Sequence, residues 1–227
     1  MNLTELYARL GLGPLSNLSM AEGATIKEAS QPRIISYANE GLRALYSRFQ
    51  ILEKYMAVRL QEGVVRYPLL PENASTQDPE GFILDTAEEP YTGDLVRILR
   101  ASDGSRNDLP LNSNESPLSI YTPEPSLLLV PFEAAGSVIY LSYQAMPADL
   151  PLDGSVTDIE LPRVLEDALV AYIAHAVYRD MNTETSMFRS QEHLGRYEMI
   201  CGRNEEKDLL GLTTAGQEEK FEARGFC

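Results

Sequence analysis

A chain of 227 residues has room for one globular domain, or one domain with an appendage. Its 44% apolar and 23% charged residues suit a folded chain and argue against wholesale disorder. Thirty-four acidic against 19 basic residues give a net charge of −15, which disfavours gripping a duplex by counterion release but suits a wall past which DNA slides without sticking.

Residues 1–10 predict a short helix, with Asn2 or Thr4 as N-cap and Leu3, Leu6, Tyr7 and Leu10 on one side, stopped by Gly11-Leu12-Gly13-Pro14. A polar stretch runs to Ser30. Pro32 then opens an amphipathic helix over 32–50, marked by Ile34, Ile35, Ala38, Leu42, Leu45 and Phe49. From Tyr55 the period changes to two, and Gln61-Glu62-Gly63 followed by Val64-Val65-Arg66-Tyr67 reads as the turn and return strand of a hairpin. A loop at 71–81 precedes strands at 82–84, 94–101, 118–121, 126–131 and 137–144, with Asp103-Gly104 as a turn, so the middle of the chain predicts a small antiparallel sheet or sandwich.

Behind Pro162 the helical period resumes. Leu165, Ala168, Leu169, Tyr172, Ile173, Ala176 and Val177 cover more than half of a helix circumference, as in a helix buried on several sides. After Met181-Asn182-Thr183, a second helix over 184–206 should turn Met187, Leu194, Tyr197 and Cys201 inward, and the pair should form an antiparallel hairpin against the 32–50 helix. The resulting division is N-terminal helices at 1–50, a β-rich domain at 51–150, a helical hairpin at 151–208 and a tail at 209–227. Leu209, Leu210, Leu212, Phe221 and Phe226 are unusual in a solvated tail, and either fold back on the chain or dock on a partner.

Few residues point to chemistry. The longest apolar run, Ala168 to Tyr178, falls short of the roughly 20 residues that span a bilayer, so no membrane partner is expected. The opening Met1-Asn2-Leu3-Thr4-Glu5 has no signal-peptide character, which makes cytoplasmic synthesis the expectation. Phosphate-binding, serine-hydrolase and zinc-protease motifs are absent, and Cys201 and Cys227 are too few for a disulfide framework or a complete zinc site. His175 reads as a satisfied core or interface histidine and His193 as part of a solvated helix face; the carboxylate clusters read as solvated charge. No catalytic residue, metal or cofactor is expected, and a small acidic hydrolase using one of the histidines stands as an alternative. The residues by themselves reach a soluble acidic α+β protein that works through its surfaces.

Three stretches carry a resemblance. Leu45-Tyr46-Ser47-Arg48-Phe49 runs into a strand and the turn Gln61-Glu62-Gly63, followed by Val64-Val65-Arg66-Tyr67-Pro68-Leu69; Leu109-Pro110-Leu111-Asn112, Ile120-Tyr121-Thr122-Pro123 and Leu127-Leu128-Leu129-Val130-Pro131 lead to Leu141-Ser142-Tyr143-Gln144-Ala145; Ile159-Glu160-Leu161-Pro162 opens the helix that ends in Val177-Tyr178-Arg179-Asp180-Met181-Asn182. Together they resemble the head-to-tail adaptor proteins of short-tailed bacteriophages, the group that includes tail tubular protein A. That resemblance implies an α+β fold in which N- and C-terminal helices form a bundle with an inserted antiparallel β-rich domain and an extended C-terminal tail. It also implies a structural virion protein made in the host cytoplasm, forming a homododecameric ring at the head–tail interface between the portal protein and a tail or nozzle protein. Genomic DNA would pass through the ring without sequence-specific binding. Leu209, Leu210, Leu212, Phe221 and Phe226 would then dock on the portal, and Arg189, Arg196 and Arg203 would make intersubunit contacts. A tail-completion or nozzle protein of the same virion is the nearest alternative.

Overall fold

The computed structural model describes residues 1–75, 81–85, 90–130 and 137–207. In chain order the elements are α1 (Leu3–Leu12), β1 (Ala21–Glu22), β2 (Thr25–Ile26), α2 (Gln31–Arg48), β3 (Glu53–Arg59), β4 (Arg66–Pro68), β5 (Ala74–Ser75), β6 (Ile83–Leu84), β7 (Leu95–Ser102), β8 (Asp108–Leu109), β9 (Tyr121–Glu124), β10 (Leu127–Leu129), β11 (Val138–Ala145), α3 (Arg163–Met181) and α4 (Glu184–Glu206). The fold is mixed α+β. The chain divides into two compact units: Met1–Ile51 with the described part of Pro147–Cys227, and Leu52–Met146.

The first unit is helical. Asn2 caps α1 by accepting from the Glu5 amide at 2.8 Å, satisfying one of the donors that a helix start leaves open. Gly11 lets α1 lie on β2, since a Cβ there would come within 2.8 Å of the Thr25 carbonyl oxygen. The expected polar stretch before Ser30 holds a two-strand ribbon, β1–β2, turned at Gly23 with φ +60°. Two-residue strands carry too little alternation to be read from sequence. Helix α3 packs against both α2 and α4, which is why its apolar residues run around most of its surface. Gly41 permits the α2–α3 approach, where a Cβ would lie 2.7 Å from Leu169 Cδ1. Asn182, at φ +49°, ends α3 in the left-handed conformation, and the chain turns at once into α4. Asn204 donates to the Val164 carbonyl while Ser190 meets His175, so α3 and α4 run antiparallel.

The second unit is built on a six-stranded sheet in the order β5-β6-β3-β11-β7-β8 and a three-stranded sheet in the order β4-β10-β9. Alternation along β3 turns Met56 and Val58 inward and Tyr55 outward; β11 turns Ile139, Leu141, Tyr143 and Ala145 inward. These residues share one core with Tyr67 from β4, Leu128 from β10, and Leu69, Ile83, Ile120 and Val130.

The hairpin expected across Gln61-Glu62-Gly63 does not form. β3 pairs with β11 and β6, and β4 pairs with β10 in the other sheet. The turn is present, with Gly63 at φ +71°, but the Tyr67 hydroxyl occupies its interior, accepting from the Gln61 amide at 2.9 Å and donating to the Val64 carbonyl at 3.0 Å. Period two marks a strand and does not choose its partner. The antiparallel expectation also needs one correction, because the predicted 71–81 loop contributes β5, which runs parallel to β6.

Candidate functional site

Helix α4 presents the most distinctive surface of the helical unit. It opens on a capping box: the Thr183 side chain accepts from the Ser186 amide at 3.2 Å, and the Ser186 hydroxyl accepts from the Thr183 amide at 2.9 Å. Its buried residues are Ser186, Ser190, Tyr197, Cys201 and Asn204. The expected inward set is therefore corrected. Tyr197 and Cys201 are buried and Leu194 half-buried, whereas Met187 is exposed, because the inward positions near the helix start are taken by Ser186, held in the capping box, and Ser190, bonded to His175.

Arg189, Arg196 and Arg203 are all exposed. Spaced by seven, they fall on one edge of the helix with a drift of only about 20° per step. Arg189 reaches Glu192 at 3.2 Å, while Arg196 and Arg203 make no ion pair among the described residues. Next to this row stand Phe188, 74% exposed, and Met199, 50% exposed, and Gly195 and Gly202 on the same side open onto free space. On the other flank Arg48 of α2 binds Glu198 and Glu205, each at 2.6 Å. The hydrogen bond to Glu205 is the main reason the Arg48 guanidinium is held above its ordinary pKa, and the same bond lowers the Glu205 carboxyl. The acids of that flank are thus engaged within the chain, and the arginine edge is open.

The histidines lie near one another at the α3–α4 contact. His175 Nδ1 lies 2.8 Å from Ser190 Oγ and 3.0 Å from the Ser190 carbonyl oxygen, and Ser190 donates to the His175 carbonyl at 3.1 Å. The serine is 4% exposed, so its Oγ is closed to a substrate here and the pair fastens two helices. His193 departs from the solvated face expected for it. It stacks on Tyr178 with ring centroids 5.5 Å apart, and burial pushes its pKa below the ordinary value. Both border a cavity of about 430 Å³ that also touches Arg189 and Pro14. Among the described residues no group of three His, Cys, Asp or Glu side chains is placed to hold a metal ion. No described helix is long and apolar enough to cross a membrane.

The β-rich unit offers a second surface. On the outward face of the six-stranded sheet, Ser142 sits opposite Tyr55 on β3 and Arg100 on β7, with Tyr140 two residues away on its own strand. Tyr55 is 77% exposed and Tyr140 49%. Beneath them the Ser142 hydroxyl is buried without a hydrogen-bond partner, at the edge of a cavity of about 150 Å³. Exposed tyrosines beside arginine are the side chains most often enriched where proteins meet.

The structure places Arg189, Arg196 and Arg203 on one helix edge, and Leu209, Leu210, Leu212, Phe221 and Phe226 lie outside the described residues. Phe188 and the Tyr55–Tyr140–Ser142 face were not singled out in the sequence. The available signal was Phe188 falling out of phase with the inward stripe of α4; the sheet face needed the β3–β11 pairing. No curated protein matches the chain. The SU10 adaptor protein family model matches residues 1–211, nearly the whole sequence, and the chain belongs to that family of phage adaptor proteins.

Proposed function

We propose that this chain is a head-to-tail adaptor of the tail tubular protein A type, a structural virion protein without catalytic activity. Twelve copies form a ring between the portal protein and the tail or nozzle protein of a short-tailed phage, and the genome passes through the channel without sequence-specific contacts. The helices at either end of the sequence form a bundle, and the β-rich domain is inserted between them in the sequence. Residues Leu209, Leu210, Leu212, Phe221 and Phe226 dock on the portal, Arg189, Arg196 and Arg203 contact neighbouring copies, and the Tyr55–Tyr140 face meets the tail-side protein.

The observation that carries this reading is the adaptor family match over residues 1–211. Two features support it. An excess of 15 negative charges suits a channel wall that repels phosphates. The open arginine edge of α4 is the kind of feature by which copies of so acidic a chain attract one another. Cryo-electron microscopy of the parent particle tests the proposal: a twelvefold ring of this chain directly beneath the portal is the expected result. Its presence at the tail end instead would make it a tail-completion or nozzle protein, and its absence from purified particles would overturn the reading.

A further inference from the structure

We propose that the arginine edge of α4 in one copy docks on residues 149–160 of the next, a head-to-tail contact repeated around the assembly; this rests on the reading of the chain as a ring-forming adaptor. The segment from Asp149 to Glu160 contains Asp149, Asp153, Asp158 and Glu160, all exposed, and no lysine or arginine. Among them stand Leu152 and Val156, 54% and 49% exposed. Asp158 and Glu160 make no ion pair among the described residues, and Asp149 has only Arg43, at 3.9 Å. Each half of the contact therefore carries what the other lacks: open guanidinium groups beside Phe188 and Met199 on α4, open carboxylates beside two aliphatic side chains on the segment.

The segment is irregular yet firmly held. Asn39 binds the Leu150 backbone through both its carbonyl and its amide at 2.9 Å, the Leu3 amide donates to the Thr157 carbonyl at 2.8 Å, and the Ile159 amide donates to the Met1 carbonyl at 2.9 Å. The Tyr46 hydroxyl donates to the Glu160 carbonyl. A surface fixed in advance loses little conformational freedom on docking. Lengths also agree: Arg189 to Arg203 spans about 21 Å of helix, and Asp153 to Glu160 reaches at most about 25 Å.

The two surfaces belong to different parts of one unit. The segment is bonded to α1 and α2, whereas α4 packs its buried side on α3 and turns the arginine edge to solvent. A contact between unlike patches of identical chains propagates from copy to copy and closes into a ring when the rotation allows it. Because each chain carries a charge of −15, copies repel on average, and apposing the open arginines to an acidic strip sets both the attraction and the register.

A charge-reversal cycle in the full chain tests this, supplied in trans to a phage lacking its own copy, with ring-bound copies per particle as the readout and circular dichroism to establish folding. Arg196→Glu with Arg203→Glu should cut ring-bound copies by about tenfold or more, as should Asp158→Arg with Glu160→Arg. The four changes combined should restore assembly to near the wild-type level. Wild-type rings that tolerate either reversal, or reversals that the combination fails to rescue, overturn the interface and leave the adaptor reading standing. Wild-type chain that forms no ring overturns both.

Discussion

The helical unit and the β-rich unit solve the same problem with different side chains. In α2 and α3 the backbone satisfies itself, and the two helices meet mainly through apolar side chains, with Gly41 allowing close approach to Leu169 and Tyr172. The β-rich unit is threaded by loops whose carbonyls and amides must be satisfied inside, and buried phenols do this: Tyr67 within the 61–64 turn, and Tyr91 on the Leu69 carbonyl at 2.9 Å. The helical unit uses phenols in this way where irregular chain crosses it, Tyr46 on Glu160 and Tyr178 on Pro14. At these four positions a tyrosine hydroxyl marks irregular backbone that needs an internal partner.

The largest effects that test this contrast come from the cores. Leu169→Ala in α3 and Leu141→Ala in β11 remove fully buried side chains and should each cost about 2–5 kcal/mol. Hydrogen exchange should rise first in the unit that carries the change; Leu169→Ala accelerating exchange in β3 and β11 as much as in α2 and α3 would break the division. Next come the phenols. Tyr67→Phe strands the Gln61 amide and should cost about 1–3 kcal/mol in urea unfolding. Tyr178→Phe removes a single bond to a carbonyl and should cost about 0.5–1.5 kcal/mol.

Alkaline titration reads both units at once. Burial pushes Tyr46 and Tyr91 up to about 12 from an ordinary value of 10, and raises Tyr143 and Tyr197 as well. Since the folded value lies above the unfolded one, the stability these groups contribute is complete below pH 10 and is lost as the pH climbs towards 12. Urea midpoints should hold steady below pH 10 and fall above it, with phenolate absorbance appearing together with unfolding; early phenolate without unfolding would contradict the burial. The smallest effect belongs to the surface. Arg48→Met removes a partly exposed bridge between α2 and α4 and should cost at most about 1 kcal/mol, less at high salt.

Legibility followed the range of the interactions. The four helices were readable because period, caps and stops are local: Asn2, Pro32, Pro162 and the Asn182-Thr183 break all mark real helix boundaries. The inward face of α4 was misread because Ser186 and Ser190 are buried through a capping box and a bond to a histidine on another helix, which a hydrophobicity pattern cannot register. The partner of β3 was misread because β11 lies far along the chain. Of the candidate site, the arginine spacing was visible in the sequence, but the openness of Arg196 and Arg203 beside Phe188 emerged only once the neighbouring helices were in place. The acidic strip at 149–160 carries no periodic pattern, and nothing in its composition tells that α1 and α2 hold it still.

The helical unit is interrupted in sequence, with the chain leaving at Ile51 and returning at Pro147. During synthesis α1 and α2 emerge first, and the apolar stripe of Ile34, Ala38, Leu42 and Leu45 has no α3 to cover it until the whole β-rich stretch has left the ribosome, a wait of several seconds at ordinary elongation rates. The nascent chain must therefore tolerate a sticky half-finished state, and its first 51 residues, with four acidic against five basic side chains, supply no net charge repulsion to keep neighbouring nascent copies apart.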